Sequence, residues 1–211
     1  MQELTISAAE ILTMLQAPPS PLPINGGTWP VQSKWTFDDL AHLPDDGNRY
    51  ELIAGVLYMS PSPRYNHQYI VSTLLRLLGS YVAAHRLGVV LPAPFEIRLP
   101  LAVHAVQPDV VFLRNDNQPP PNAAFFASIP DLVVEVISPS SLRLDRVLKF
   151  ATYEEAGVPE LWLVDPVARS VEVYAHDEQF FTLHGQFSIG EVLSSHLLPE
   201  FNLEVAPLFA W

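Results

Sequence analysis

The sequence has no cysteine, and only 11 of its 211 residues are Lys or Arg. The absence of cysteine excludes disulfide bonds, thiolate metal ligands and a cysteine nucleophile. Asp and Glu together number 23, so the formal net charge at pH 7 is -12. Proteins that bind nucleic acid without regard to sequence usually have a basic surface, because each phosphate contact needs a cation. Strong sequence-independent DNA binding is therefore not expected.

Long apolar runs and a charged-then-apolar leader are also missing from the sequence. A membrane-spanning helix needs about 20 consecutive apolar residues, so we expect a soluble, cytoplasmic protein with no membrane partner. The sequence has no Gly-rich phosphate loop, no serine nucleophile elbow and no zinc-protease helix motif. Its histidines lack paired spacing, so a histidine zinc site is not expected.

Proline is concentrated near the N-terminus, where residues 18–30 hold five prolines and a Gly-Gly pair. Such a composition is typical of an extended linker. An amphipathic segment over residues 6–15 precedes it and predicts a short helix. We therefore divide the chain into an N-terminal helix and linker, residues 1–32, and one domain over residues 33–211, which is long enough to bury a full core.

The stretch over residues 131–166 indicates a strand, a helix and a second strand. Residues 131–138 are mostly aliphatic and β-branched, which is typical of a strand buried on both faces. Serine caps favour a helix over residues 142–156 that ends at Gly157, and a strand over residues 160–165 follows. Such a β-α-β unit predicts two parallel strands in a helix-covered sheet.

Glu135 lies in the middle of the first of these buried strands. An ionised carboxylate is costly there unless it is paired, hydrogen-bonded or bound to a cation. Two interpretations follow: Glu135 is a metal ligand, or it belongs to a structural network with an Arg or a Tyr.

The remaining pattern predicts an αβββαβ core. A long amphipathic helix covers residues 64–87, and strands cover residues 89–99 and 106–113. Upstream, Thr36 and Asp39 form a capping-box pattern, and residues 48–60 predict a hairpin. Downstream, a hairpin over residues 170–174 and 179–183 and short strands over residues 187–189 and 201–205 are predicted, and residues 114–130 form a long loop. The fold class is therefore α/β (α+β), with a mixed central sheet, flanking helices and extra hairpins.

Asp109 follows Pro108 at the start of a predicted strand, so neighbouring strands can bring Asp109 and Glu135 together. Mg²⁺ is typically held by one or two carboxylates together with waters and substrate oxygens. Glu51, in the first arm of the hairpin, is either a third acid of this site or part of a half-exposed polar face. His67 is either a group that acts on water or phosphate or, as is common at a helix start, a cap or surface residue.

Several short motifs, in this order, resemble the Uma family of restriction-type endonucleases, which is assigned to the PD-(D/E)XK nuclease superfamily. They are Tyr50-Glu51-Leu52-Ile53 with Gly55, His67, Pro108-Asp109, Glu135 before Ser138-Pro139-Ser140-Ser141, the helical Asp145, Lys149 and Tyr153, Gly157-Val158-Pro159-Glu160-Leu161-Trp162, and Val164-Asp165-Pro166. The resemblance covers residues 35–210. It implies an αβββαβ core and phosphodiester hydrolysis dependent on Mg²⁺ or Mn²⁺, with Asp109 and Glu135 as the metal ligands.

The sequence departs from the superfamily pattern at Ile137, where a lysine is expected two residues after the glutamate. The resemblance places the catalytic cation at Lys149, on the following helix. The alternative for Lys149 is a surface ion pair with Asp145, one turn earlier, worth about 0.3–0.5 kcal/mol. Tyr153 is as compatible with core packing as with the site.

The leading interpretation is thus a Mg²⁺-dependent endonuclease acting on DNA as a homodimer, with Asp109, Glu135, Lys149 and Glu51 in its catalytic site. A protein that keeps the nuclease fold for binding or assembly without turnover is the alternative, consistent with Ile137 and with the net charge. A metal-dependent hydrolase of a small phosphoester is a third.

Overall fold

The structure is a computed structural model that describes residues 29–60, 62–100, 102–138, 144–198 and 200–211. The predicted helix over residues 6–15 and most of the proline-rich linker lie outside the described residues. In the described part, no helix is long and apolar enough to cross a membrane.

The described strands and helices are numbered in chain order. The strands are β1 (Arg49–Ile53), β2 (Val56–Ser60), β3 (Gly88–Pro92), β4 (Ile97–Leu99), β5 (His104–Val106), β6 (Val110–Arg114), β7 (Leu132–Val136), β8 (Glu160–Asp165), β9 (Ser170–His176), β10 (Phe181–Ser188), β11 (Val192–Ser194) and β12 (Asn202–Glu204). The helices are α1 (Phe37–Leu40), α2 (Tyr65–Ala84) and α3 (Phe150–Ala156). A π-helical turn, Leu144–Lys149, leads directly into α3, and 3₁₀ turns cover Asn115–Asn117 and Ala206–Phe209.

A six-stranded mixed sheet forms the centre of the domain, in the order β10-β9-β8-β7-β6-β3. Strands β7 and β8 are parallel, as the β-α-β pattern predicts, and the other neighbours are antiparallel. A four-stranded sheet, β2-β1-β5-β4, and the short pair β11-β12 complete the architecture. The predicted mixed sheet with flanking helices and extra hairpins is confirmed.

The two faces of the central sheet carry separate apolar clusters, because side chains alternate along each strand. One cluster joins Leu74 of α2 to Val134 and Trp162 of the sheet. The other joins Val133 and Leu161 to Tyr153 and Ala156 of α3. Each large aliphatic side chain buried in this way stabilises the fold by about 1.5–3 kcal/mol. Glu135 lies two residues after Val133 on β7, so its side chain is on the same face of the sheet, within the second cluster and facing α3.

The hairpin β1-β2 turns at Ala54-Gly55, where both residues have positive φ, as a two-residue type I′ turn requires. A Cβ at Gly55 would lie 3.0 Å from the carbonyl oxygen of Ser33, so glycine is needed there. The predicted capping box between Thr36 and Asp39 is present at the start of α1. Residues 48–60 therefore fold as their turn chemistry predicts.

Three predicted boundaries are wrong, and proline explains two of them. Residues 89–99 form β3 and β4 in different sheets, with Pro94 between them. Residues 106–113 are divided between β5 and β6 at Pro108, which cannot donate a ladder hydrogen bond. Near the C-terminus, Phe187 continues β10, and β12 pairs with Val192–Ser194 instead, because the long β9-β10 ladder extends further than the sequence pattern indicates. The predicted helix over residues 142–156 is described from Leu144, and residues Leu144–Lys149 are π-helical.

Candidate functional site

Asp109 and Glu135 meet because β6 and β7 are antiparallel neighbours. Val110 lies opposite Val134, so Asp109, one residue before β6, reaches the same sheet face as Glu135. The backbone N–H of Val136 donates a hydrogen bond of 2.9 Å to Oδ2 of Asp109. Both side chains are buried, with 3% of Asp109 and 1% of Glu135 exposed. The pairing that the strand order predicts is therefore observed.

The Glu135 carboxylate is held by two donors from the helical segment. Its Oε1 accepts from Nζ of Lys149 at 3.0 Å and from the hydroxyl of Tyr153 at 2.6 Å. Burial raises the pKa of Glu135 to about 8; Lys149 opposes the rise, and the neighbouring carboxylates add to it. Burial also raises the pKa of Tyr153 well above its ordinary value, so the phenol keeps its proton and donates.

Lys149 is a buried cation surrounded by acids. Its Nζ lies 2.9 Å from Oε1 of Glu51, 3.0 Å from Oε1 of Glu135 and 3.8 Å from Oδ1 of Asp145. Burial lowers the pKa of this ammonium, but the charges of the three carboxylates outweigh that effect and hold the pKa above its ordinary value. The predicted pair with Asp145 is present, but its surface location is wrong, because Lys149 is 1% exposed and lies closer to Glu51 and Glu135 than to Asp145.

Glu51 joins this cluster from the smaller sheet. Its Oε1 accepts a hydrogen bond of 2.7 Å from the backbone N–H of Gln107 in addition to the contact with Lys149. Its Oε2 is buried and has no hydrogen-bond partner. The alternative of a half-exposed polar strand face is wrong, because β1 is buried at this position.

Arg49 and His67 both contact Asp109. Nη1 of Arg49 lies 2.9 Å from Oδ1, and Nε2 of His67 lies 3.0 Å from Oδ2. Burial alone would raise the pKa of Asp109, but the contact with His67 and the positive charges of its surroundings hold that pKa well below its ordinary range. His67 is neither a cap nor a surface residue, since its side chain is 12% exposed and points to Asp109. Arg49 was missed, although it lies two residues before Glu51, on the same side of β1.

The site offers an all-oxygen donor set from Asp109, Glu135 and Glu51, which is the chemistry that Mg²⁺ and Mn²⁺ prefer. Among the described residues, no group of three or more His, Cys, Asp or Glu side chains is placed so that it could hold a metal ion. Lys149 contacts the carboxylates of Glu51 and Glu135, and Arg49 contacts that of Asp109. The buried, unpaired Oε2 of Glu51 is the oxygen that a further cation would satisfy. The chemical type of these oxygen donors therefore suits a hard divalent cation, whereas three of them are not arranged around one point.

A pocket of about 540 Å³ opens beside Asp109. Arg49 and His67 line it together with side chains from residues 40–50, from the start of α2 and from residues 93–96. The acidic cluster therefore lies next to a space that can receive a molecule.

The fold of this chain is similar to that of a solved structure. The crystal structure of "a putative nuclease belonging to DUF820" from Anabaena variabilis ATCC 29413 matches with a TM-score of 0.71. The identity is 21%, and the match covers 86% of this chain and 99% of that chain; at this identity the likeness concerns the fold. No curated protein shows significant similarity to the chain.

The family Uma2, described as "Putative restriction endonuclease", matches residues 37–206. The chain therefore belongs to this family, and the resemblance drawn from the sequence motifs is confirmed.

Proposed function

We propose that this protein is a metal-dependent endonuclease that hydrolyses phosphodiester bonds in DNA. The observation that carries the proposal is the contact of 3.0 Å between Lys149 and Glu135, next to Asp109 and a pocket. Phosphodiester hydrolysis requires acids that hold a cation and a positive charge that offsets the charge developing on phosphate. Both kinds of group are fixed within one buried cluster, in a chain of a nuclease-like family.

Asp109 and Glu135 are the proposed ligands of Mg²⁺ or Mn²⁺, and Glu51 lies beside them. When bound, the cation polarises the scissile phosphate and favours ionisation of a water. Burial raises the pKa of Glu135, so Glu135 would have to lose its proton in order to hold the cation. Tyr153 keeps Glu135 in place through its hydrogen bond of 2.6 Å.

Lys149 supplies the positive charge that the superfamily pattern assigns to the position of Ile137. Ile137 is 4% exposed and belongs to the apolar cluster under α3, so it carries no charge to the site. The ammonium of Lys149 reaches Glu135 from the helical segment instead. Because the ammonium lies between two glutamates, it is held in a fixed position, where it can stabilise negative charge that develops in the reaction without reorganisation.

The alternative is that the protein keeps the nuclease fold for binding or assembly and has no catalytic activity. The contacts of Arg49 and Lys149 with the acids favour it, because these cations neutralise carboxylates without a metal. A homodimer and a cytoplasmic location remain predictions from the sequence.

Nicking of supercoiled plasmid and cleavage of single-stranded circular DNA in Mg²⁺ and in Mn²⁺ test the proposal. We expect activity from the wild type and a loss of about a hundredfold or more in Glu135→Gln. Glu160→Gln is the matched control, since Glu160 is equally buried but is bonded to Trp162, Ser195 and the backbone of Leu197 on another part of the sheet. Equal activity of Glu135→Gln and wild type would refute the proposal. A folded wild type that binds metal and cleaves neither DNA would favour the alternative.

A further inference from the structure

The pocket beside Asp109 has the volume of a site for one small molecule. Its volume of about 540 Å³ falls within the range of roughly 300–1,000 Å³ typical of ligand pockets. Apolar side chains such as Leu43 and Pro94 form part of its wall, and amide side chains form another part. A wall of this kind suits a flat, polar-edged group such as a nucleobase, whose faces are apolar and whose edge carries donors and acceptors.

Two polar atoms of the pocket wall have no partner. Oε1 of Gln107 and Nδ1 of His67 are buried and make no hydrogen bond, although both residues line the pocket. Burial of an unsatisfied polar group is unfavourable. A bound group with its own hydrogen-bonding edge would remove that cost. The amide of Gln68, exposed at the start of α2, lines the same space.

The charged side chains that line the pocket suit a single phosphate group and not the series of phosphates along a duplex. Within the described part of the chain, Arg49 is the one Lys or Arg of the lining, and Asp45, Glu96 and Asp109 are its acids. Elsewhere, Arg98, Arg114 and Arg146 are already paired with acidic side chains. Duplex DNA carries one charge per about 1.7 Å of its axis, and gripping it requires many cations. The pocket lining therefore does not supply the row of cations that a duplex needs.

We infer that the pocket beside Asp109 binds one unstacked nucleotide, so that the substrate is a single strand or a locally opened strand of DNA. The inference rests on the proposed function, since it names the form of DNA that the same site receives. Gln107 and His67 face the edge of the base, and Arg49 lies at the level of the adjoining phosphate.

Fluorescence anisotropy with a labelled single-stranded dodecamer, its blunt duplex and an all-abasic dodecamer tests the inference, with Ca²⁺ in place of Mg²⁺ to support binding without cleavage. We expect the single strand to bind at least about tenfold more tightly than the duplex or the abasic strand. Gln68→Trp, which fills the pocket mouth, is expected to weaken single-strand binding about tenfold or more. Ser72→Trp is the control, because Ser72 is exposed on the same helix outside the pocket lining.

Thermal melting establishes that each variant is folded, and Gln107→Leu replaces Gln68→Trp if the latter is not. Equal binding of all three probes, undetectable binding of the single strand, or equal weakening by the two tryptophan variants would overturn the inference. Pocket-dependent binding without cleavage in Mg²⁺ or Mn²⁺ would uphold it while refuting the proposed endonuclease. Cleavage of duplex and single strand alike, unaffected by Gln68→Trp, would do the reverse.

Discussion

Replacing Lys149 with methionine removes a buried charge while keeping the length of the side chain. Lys149 and Glu51 are each 1% exposed and lie 2.9 Å apart, so the substitution leaves a buried carboxylate without its cation. Breaking a buried ion pair from one side costs about 3–5 kcal/mol. Glu135 limits the loss, because its raised pKa lets it hold a proton at neutral pH. We therefore expect Lys149→Met to lower the free energy of unfolding by about 3 kcal/mol at pH 7.

Urea denaturation of wild type and variant measures this loss. The other lysine, Lys34, is exposed, and Lys34→Met is expected to change the free energy of unfolding by less than about 0.5 kcal/mol. The double variant Lys149→Met with Glu51→Gln is expected to recover about 1 kcal/mol or more, since the unpaired charge is removed as well. A loss below about 1 kcal/mol for Lys149→Met, or no recovery in the double variant, would refute the buried-pair reasoning.

Three further predictions concern the metal-free protein. Folding raises the pKa of Glu135 from 4.5 to about 8, so between these pH values the folded state binds an extra proton and the free energy of unfolding falls as pH rises. Glu135→Gln is expected to flatten this fall, as measured by urea denaturation between pH 4.5 and about 8. The same dependence of the free energy of unfolding on pH in wild type and variant would contradict this prediction. Gly157 has φ of 76° at the end of α3, so Gly157→Ala is expected to lower the free energy of unfolding by about 1 kcal/mol, whereas Gly79→Ala within α2 is expected to raise it by about 0.5–1 kcal/mol. Changes of the same sign for both variants in calorimetric melting would contradict this prediction. Phe126 is 4% exposed in the core, so Phe126→Ala is expected to lower the free energy of unfolding by about 3–5 kcal/mol. Phe125→Ala removes a cation–π contact with Arg98 and is expected to lower it by about 0.5–1 kcal/mol. Similar losses for the two variants in urea denaturation would contradict this prediction.

Local patterns in the sequence predict the central β-α-β unit and the meeting of two acids. The aliphatic run around Glu135 marks a strand buried on both faces, and Pro108 marks the entry of the strand that carries Asp109. Neighbouring strands can bring two such acids together, and the antiparallel register of β6 and β7 places them on one face of the sheet. The structure shows the same arrangement.

The contacts between the two sheets could not be predicted, because they depend on packing between distant segments. Glu51 and Lys149 lie far apart in sequence and on different elements, yet their side chains are 2.9 Å apart. A surface pair with Asp145 was equally consistent with the helical spacing. Arg49 offered one signal, its alternation with Glu51 on a strand, but nothing in that pattern indicates Asp109 as its partner. The pocket likewise joins the start of β1, the start of α2 and a loop, which no local pattern connects.

Calorimetric titration of Mn²⁺ into the metal-free protein tests the central claim, that Asp109 and Glu135 hold a divalent cation, most directly. The account predicts one site per chain in the wild type and in Glu160→Gln, and loss of that site in Asp109→Asn and in Glu135→Gln. Binding that is the same in all four proteins would place the metal elsewhere and contradict the account. Absence of binding in the folded wild type would leave Glu135 as a structural partner of Lys149 and Tyr153.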